Sequence, residues 1–246
     1  MARNYSYVKG EKDKKFIINS MRKYVDQPQE IDKFLMNLIE PKLKEPKLKI
    51  LDACCGIGHL LYFLSDLSPQ SSFLGVDKVP YLIEEARILN KKKRNVSFEI
   101  RDVYDLPLDY SKFFDISISW KTITWLPYYD EMVTTLIAIT KKHIFISSLF
   151  YDGDIDFEIK IREFQKESGK KGFNAYYNVY SLPQFRKYVY NLGIKNLKVW
   201  DFEIGIDIPK PPPNQMGTYT VLLDNGRRLQ ISGAVVMSWK IIRLDL

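Results

Sequence analysis

Residues 50–61 read ILDACCGIGHLL: an apolar run closing on Asp52, a turn holding Gly56 and Gly58, and a second apolar run at helical spacing. A strand, a tight turn and a helix start leave backbone N–H groups unpaired and aimed beyond the strand's end. Two common nucleotide loops share that plan. The dinucleotide fingerprint G-x-G-x-x-G uses its third glycine for close helix–sheet approach, and Leu61 stands there instead. The P-loop continues into Gly-Lys-Ser/Thr, which this chain lacks. Neither class fits.

Outward from the loop, strand-like and helix-like segments alternate over about residues 48–149. LKILDA (48–53), SFLGVD (72–77), NVSFEIRD (95–102), FFDISISW (113–120) and HIFISSLF (143–150) read as strands. GHLLYFLSDL (58–67), a segment opened by Pro80, and YDEMVTTLIAITKK (129–142), capped near Asp130, read as helices. Such alternation implies βαβ units in a doubly wound, mostly parallel sheet. Ahead of it, QEIDKFLMNLIEP (29–41) sets Ile31, Phe34, Leu35, Leu38 and Ile39 on one helical face. Behind it, SLPQFRKYVYNLGI (181–194) is a helix capped by Ser181, and LKVWDFEIGIDI (197–208) a strand. The stiff KPPPNQMG (210–217) leads to a hairpin around Asp224-Asn225-Gly226 and a final strand, VMSWKIIRL (236–244).

Composition narrows the class. The 246 residues are 46% hydrophobic, enough for one sizeable core. Apolar runs fall well short of the roughly 18 residues of a membrane span, and MARNYSYVKGEKDKK lacks a secretory apolar stretch. The two cysteines, Cys54 and Cys55, are neighbours, which points to a reducing cytoplasm. Net charge is +7, but the basic residues are dispersed; the one run, KKKR at 91–94, reads as a solvated turn. DGDID (152–156) is followed by Phe157 where a calcium loop needs glycine, so no metal is expected.

With Asp52, Gly56 and Gly58 in place, the segment resembles motif I of the class I S-adenosylmethionine-dependent methyltransferases, acid-x-G-x-G-x-G, with Cys54 at the first glycine position. Later markers follow in order over about residues 45–206. Asp77 closes the second strand in FLGVDKV, 25 residues after Asp52; Asp102 closes the third in FEIRDVYDLP; FFDISISWKTITWLP is similar to the family's fourth-strand motif and loop. The resemblance implies an α/β fold: a doubly wound, Rossmann-like, seven-stranded, mostly parallel sheet with helices on both faces. Added to it are an N-terminal helical cap and a C-terminal β-hairpin extension. The whole chain, 1–246, is then one domain. Residues 1–44 form the cap or lid, 45–206 the core with a lid insertion around 151–180, and 207–246 the hairpin and final strand.

The implied cofactor is S-adenosyl-L-methionine, leaving as S-adenosyl-L-homocysteine. Asp77 accepts from the ribose hydroxyls, Asp102 and the Val103 N–H read the adenine, and Asp52 favours the ammonium. Gly56 and Gly58 let the backbone approach the methionine moiety; Cys54, Lys78 and Ser119 complete the set. Strand-end geometry at Cys54 is expected to suit a small side chain, with the thiol a buried filler.

Ligands of open α/β sheets bind beyond the strands' carboxyl ends, which puts SWKTITWLP and LFYDGDID at the mouth. Trp120, Lys121, Thr124, Trp125 and Phe150 are the expected acceptor walls, with Tyr176 and Asn178 from NAYYNVYS (174–181). That stretch and NYSYVKG (4–10) read as lid material. Tyr151, Asp152 and Tyr177 are the catalytic candidates; His59 opens a helix and His143 a strand. Ser119-Trp120-Lys121-Thr122 replaces the Asn/Asp/Ser-Pro-Pro-aromatic motif of nucleic-acid amino-methyltransferases. The paired glutamates of protein-arginine enzymes are missing as well. A small metabolite remains, methylated on oxygen or nitrogen, with a sugar or amino-alcohol compatible. An RNA methyltransferase and a catalytically inactive cofactor-binding partner subunit are the alternatives.

Overall fold

A computed structural model describes residues 11–106, 110–164, 171–213 and 216–246; NYSYVKG, expected as lid material, lies outside the described residues. Two helices come first, α1 (Glu11–Asp26) and α2 (Glu30–Ile39). The alternation then runs through β1 (Lys49–Ala53), α3 (His59–Leu67), β2 (Ser72–Asp77), α4 (Pro80–Leu89) and β3 (Val96–Ile100). It continues through β4 (Phe114–Ser119), α5 (Asp130–Ile139) and β5 (Thr140–Ser148). After β5 come β6 (Phe150–Tyr151), β7 (Lys160–Phe164), β8 (Lys171–Tyr176), β9 (Tyr180–Ser181) and α6 (Leu182–Asn191). The chain ends with β10 (Asn196–Phe202), β11 (Thr218–Leu222), β12 (Arg228–Ser232), β13 (Val235–Val236) and β14 (Trp239–Asp245).

Seven strands form one sheet in the order β10-β14-β5-β4-β1-β2-β3. β1 to β5 are mutually parallel, and β14 runs antiparallel to both its neighbours. Side chains alternate across a strand, so each central strand feeds two cores. Ile50, Ile118, Phe145 and Ile241 meet α2, α3 and α4 on one face. Leu51, Ile144, Ile146 and Ile242 meet α5 and α6 on the other. The order reverses between β1 and β4, and the crevice at their carboxyl ends is the place for a ligand. Among the described residues no helix is long and apolar enough to cross a membrane.

Several boundaries differ from the sequence reading. Asp130 is the first residue of α5, with Tyr129 at the cap position and no side-chain cap bond. The acid there acts on the helix dipole. The helix stops at Ile139 because Thr140 already pairs with Phe114 in the sheet. β10 ends at Phe202, opposite Trp239, so residues 203–208 have no ladder to join. The expected polar lid over 151–180 instead contains the paired β7 and β8 and the short parallel pair β6 and β9. Its Tyr177 and Tyr180 are buried, not surface aromatics. The core does not end at residue 206 either, since β14 is threaded between β10 and β5.

Because β14 is buried on both faces, Ile241→Ala should destabilise the protein by about 2–5 kcal/mol, as large-to-small changes do in close-packed cores. Urea denaturation measures this. A loss under about 1 kcal/mol would place β14 outside the cooperative unit.

Candidate functional site

Between β1 and α3 the backbone turns left-handed three times, at Cys54 (φ 64), Gly56 (φ 55) and Gly58 (φ 68). Only glycine fits at 58, where a β-carbon would stand 2.5 Å from the Phe98 ring. Cys54 corrects the expectation of ordinary strand-end geometry, because its residue bears a β-carbon in a conformation that costs about 1–2 kcal/mol. Burial, then the carboxylates of Asp77, Asp102 and Asp52, push its thiol well up, so it stays protonated and unreactive.

Asp77 ties this turn to the next helix. Its Oδ2 accepts the Gly56 N–H (3.0 Å) and its Oδ1 the Val79 N–H (3.0 Å). The side chain thus holds the glycine turn and the approach to α4 at once. Burial raises its pKa, opposed by those two N–H donors and Lys78. Asp102 closes the 3-10 turn Val103–Asp105, its Oδ1 accepting the Tyr104 N–H at 3.1 Å. Its Oδ2 stands 4.0 Å from Lys78 Nζ. Asp52, Asp77 and Asp102 therefore line up at or just past the carboxyl ends of three adjacent strands.

Asp52 is the least comfortable of the three. It is 3% exposed. Burial, then the charges of Asp77 and Asp32, push it up to about 8 against the opposing pull of Lys121.

Asp32 is the residue that sequence reasoning missed. It lies on α2 beside the apolar stripe of Ile31, Leu35 and Ile39 and is fully buried. Trp120 donates its indole N–H to Oδ1 (2.9 Å), Lys121 Nζ stands 3.3 Å from the same oxygen, and His59 Nε2 is 3.4 Å from Oδ2. Burial alone would raise this carboxyl, but Lys121, His59 and Trp120 together hold it well below the usual range. An acid in a helix's first turn reads as a dipole partner, so the sequence held no signal for this role. Above the loop, Met21 of α1 lies 3.7 Å from where a Gly56 β-carbon would be, so the N-terminal segment roofs the turn.

The expected acceptor walls divide. Trp120 and Lys121 are tied to Asp32 instead of standing as open walls. Thr124 is buried, donating to Asn178 O (2.6 Å). Asn178 is spent too: its amide donates to Leu126 O (2.9 Å) and Tyr180 Oη (3.0 Å), and its Oδ1 accepts the Ile159 N–H (3.0 Å). Both side chains are thus bonded within the protein. Phe150 packs on Phe185 in the core, ring centroids 5.1 Å apart, and Ser119 turns its hydroxyl to Met132 Sδ at 3.9 Å. Trp125 and Tyr177 meet edge to face at 4.8 Å, with Tyr177 buried and Tyr176 half-buried. Tyr151 stays exposed against Phe157, and exposed Asp152 pairs with Lys240 at 3.3 Å. His143 bonds Asp245 at the opposite end of the sheet (2.7 Å).

The family described as a methyltransferase domain matches residues 44–182. Two curated relatives are malonyl-[acyl-carrier protein] O-methyltransferases. That of Bacillus cereus is 28% identical over 118 residues, covering 48% of this chain and 43% of the relative. That of Bacillus cytotoxicus is 24% identical over 168 residues, covering 65% and 55%. The chain spans about half the length of these relatives. Among solved structures, magnesium protoporphyrin IX methyltransferase from Synechocystis PCC 6803, with bound SAM, superposes with a TM-score of 0.52. It is 16% identical, and the match covers 99% of this chain and 88% of that one, a likeness of fold.

Two outcomes follow from the strained and buried groups. Cys54→Gly should stabilise by about 1 kcal/mol in urea denaturation, relief of the left-handed strain outweighing the added freedom of the unfolded chain; a clear loss would show that the thiol's packing matters more. Asp52 is protonated in the folded state up to about pH 8 but ionises near its ordinary 3.8 when unfolded. Stability therefore falls as pH rises from about 4 to about 8 and then levels off. Asp52→Asn should melt above the wild type at pH 8, by a margin that shrinks toward pH 4. Parallel melting profiles would contradict the burial of that proton.

Proposed function

The chain belongs to the methyltransferase-domain family, and from that premise we propose that it is a class I S-adenosylmethionine-dependent methyltransferase acting on an oxygen or nitrogen of a small metabolite. The observation that carries the reading is the buried Asp52 carboxyl beside a glycine turn pinned by Asp77. A carboxyl so desolvated and flanked by other acids suits a cationic partner at close range. An amino-acid ammonium is such a partner.

The residues present fit this cofactor. Gly56 and Gly58 hold the backbone left-handed where a ligand approaches, and at 58 a β-carbon has no room. Asp77 has used one lone pair of each oxygen on backbone donors, and the remaining pairs suit ribose hydroxyls. Asp102, at the turn after β3 with Lys78 Nζ 4.0 Å from its Oδ2, would accept from an exocyclic amine, with Val103 supplying its N–H. When bound, the cofactor supplies a methyl group on a cationic sulfur. The chain's own part is to orient the acceptor in line and keep water out, with α1 and Met21 roofing the turn. Tyr151, Asp152 and Tyr177 remain the candidates for taking the acceptor's proton.

An oxygen acceptor gains support from the two curated relatives, named as O-methyltransferases. A sugar or amino-alcohol suits the mixed aromatic and polar surroundings of Trp125 and Tyr177. The adjacent cysteines, both free, suit a cytoplasmic enzyme.

Titration calorimetry should detect S-adenosylhomocysteine binding, with Asp77→Ala weakening it by about 1.5–3 kcal/mol, the scale of hydrogen bonds to charged groups. No binding by wild type at millimolar ligand would refute the reading. Label from the methyl donor should enter a small-metabolite extract after RNase and protease treatment; label only in RNA would favour the RNA methyltransferase. Cofactor binding without any transfer would favour the inactive partner subunit.

A further inference from the structure

Four non-glycine residues among the described ones have a left-handed backbone. Lys47 and Lys112 lie just before β1 and β4, at the amino ends of those strands. Cys54 and Lys121 lie just after the same two strands, at the carboxyl ends between which the sheet order reverses. Lys121 (φ 57) is held there by its own N–H, which donates to the buried Ser147 Oγ on β5 (2.8 Å). Glycine would sit at that φ with less strain, so the side chain has to account for the lysine.

That side chain is clasped by the N-terminal helices. Nζ stands 3.3 Å from Asp32 Oδ1, donates to Gln29 Oε1 and lies 5.5 Å from the centre of the Tyr24 ring. Tyr24 is about one helical turn beyond Met21, which roofs Gly56. The other oxygen of Asp32 faces His59, the residue directly after Gly58, at 3.4 Å. That contact is long for a hydrogen bond, and neither Oδ2 nor His59 Nε2 has another partner. The clasp therefore touches the glycine turn on one side and the loop after β4 on the other. Along that loop Trp120 donates to Asp32 (2.9 Å), Thr122 Oγ1 to Trp120 O (3.1 Å), and the Trp125 N–H to Thr122 O (2.8 Å).

Little of this helps the fold. A buried ion pair gains no more than well-packed apolar side chains would, and often less. Asp32 also interrupts the buried apolar face of α2. Backbone strain, a desolvated charge pair and two poorly paired polar atoms thus fall together at the mouth of the crevice. Such costs gather where function sustains them.

Resting on the methyltransferase reading, we infer that Lys121 is a positioning residue for methyl transfer: clasped by Asp32, it fixes the loop from Trp120 to Trp125 against the glycine turn. An acceptor lying on Trp125 is thereby held in line with a methyl donor lying on that turn. The ammonium itself touches neither reactant. A misplacement of about 1 Å in such a geometry can cost about a hundredfold in rate.

Asp32→Asn/Lys121→Met removes both charges together, so no buried charge is left uncompensated. The asparagine keeps an oxygen for the Trp120 indole and offers an N–H to His59 Nε2. Transfer is read as label passing from saturating methyl donor into a dilution series of small-molecule extract freed of RNA and protein. Melting temperature and S-adenosylhomocysteine affinity are measured in parallel.

The double variant should melt no lower than wild type. Asp32 and Lys121 act on Asp52 in opposite senses, so S-adenosylhomocysteine affinity should stay within about threefold. The plateau rate should fall at least about tenfold, with the half-saturating dilution little changed. Lys121→Arg, which keeps a cation beside Asp32, should retain most of the plateau rate. An unchanged plateau in the double variant overturns the inference. A plateau lost together with melting temperature, or with S-adenosylhomocysteine affinity, overturns it too, making the cluster structural or part of the cofactor site. Wild-type protein that binds no S-adenosylhomocysteine, or labels no small molecule, refutes the functional reading and this inference with it.

Discussion

The carboxylate of Asp77 is the constraint on which the crevice depends. It stands at the end of β2, yet it holds a turn that begins at the end of β1, by accepting the Gly56 N–H. It holds the approach to α4 in the same way, through Val79. Charge-assisted bonds to backbone donors are stronger than neutral ones, and these two act together with the backbone bonds from Cys55 N–H to Val76 O and from Gly58 N–H to Cys55 O, both 2.9 Å. Of the three left-handed residues in the turn, only Cys54 departs from the conformation its side chain prefers.

Around this anchor the charges are arranged against one another. Asp52 and Asp32 are both buried carboxyls, but their surroundings drive them in opposite directions. Asp32 has an indole N–H, a lysine and a histidine at hand and remains ionised. Asp52 faces Asp77 and Asp32 across a desolvated interior and holds its proton up to about pH 8. Two identical side chains thus become an ionised structural tie and a carboxyl that keeps its proton. Asp32 also joins three pieces of chain that are far apart in sequence: α2, the first residue of α3, and the loop after β4. The N-terminal helices are therefore part of the crevice's framework and not an appendage.

At the carboxyl end of the chain β14 completes the core between β10 and β5, while the smaller sheet β11 to β13 buries Gln230, Ile231 and Ser232 and leaves Val221, Leu222, Leu229 and Val236 exposed.

The sequence by itself determined the sheet-and-helix alternation, the glycine turn and the three strand-end acids, because each depends on short-range pattern: period two, period 3.6, and a glycine where φ must be positive. It also placed the hairpin at Asp224-Asn225-Gly226, a local turn signal. Tertiary structure decided what those patterns could not express. Thr124, Asn178 and Phe150 looked like walls from their place in the chain, and packing turned them into supports. Asp32 carried no signal in its own segment, and a tryptophan 88 positions away made it a buried anchor. Gln230 alternates correctly within its strand, but only the sheet's docking fixed which face went inward. Burial and long-range pairing are properties of the assembled chain, and no window of neighbouring residues contains them.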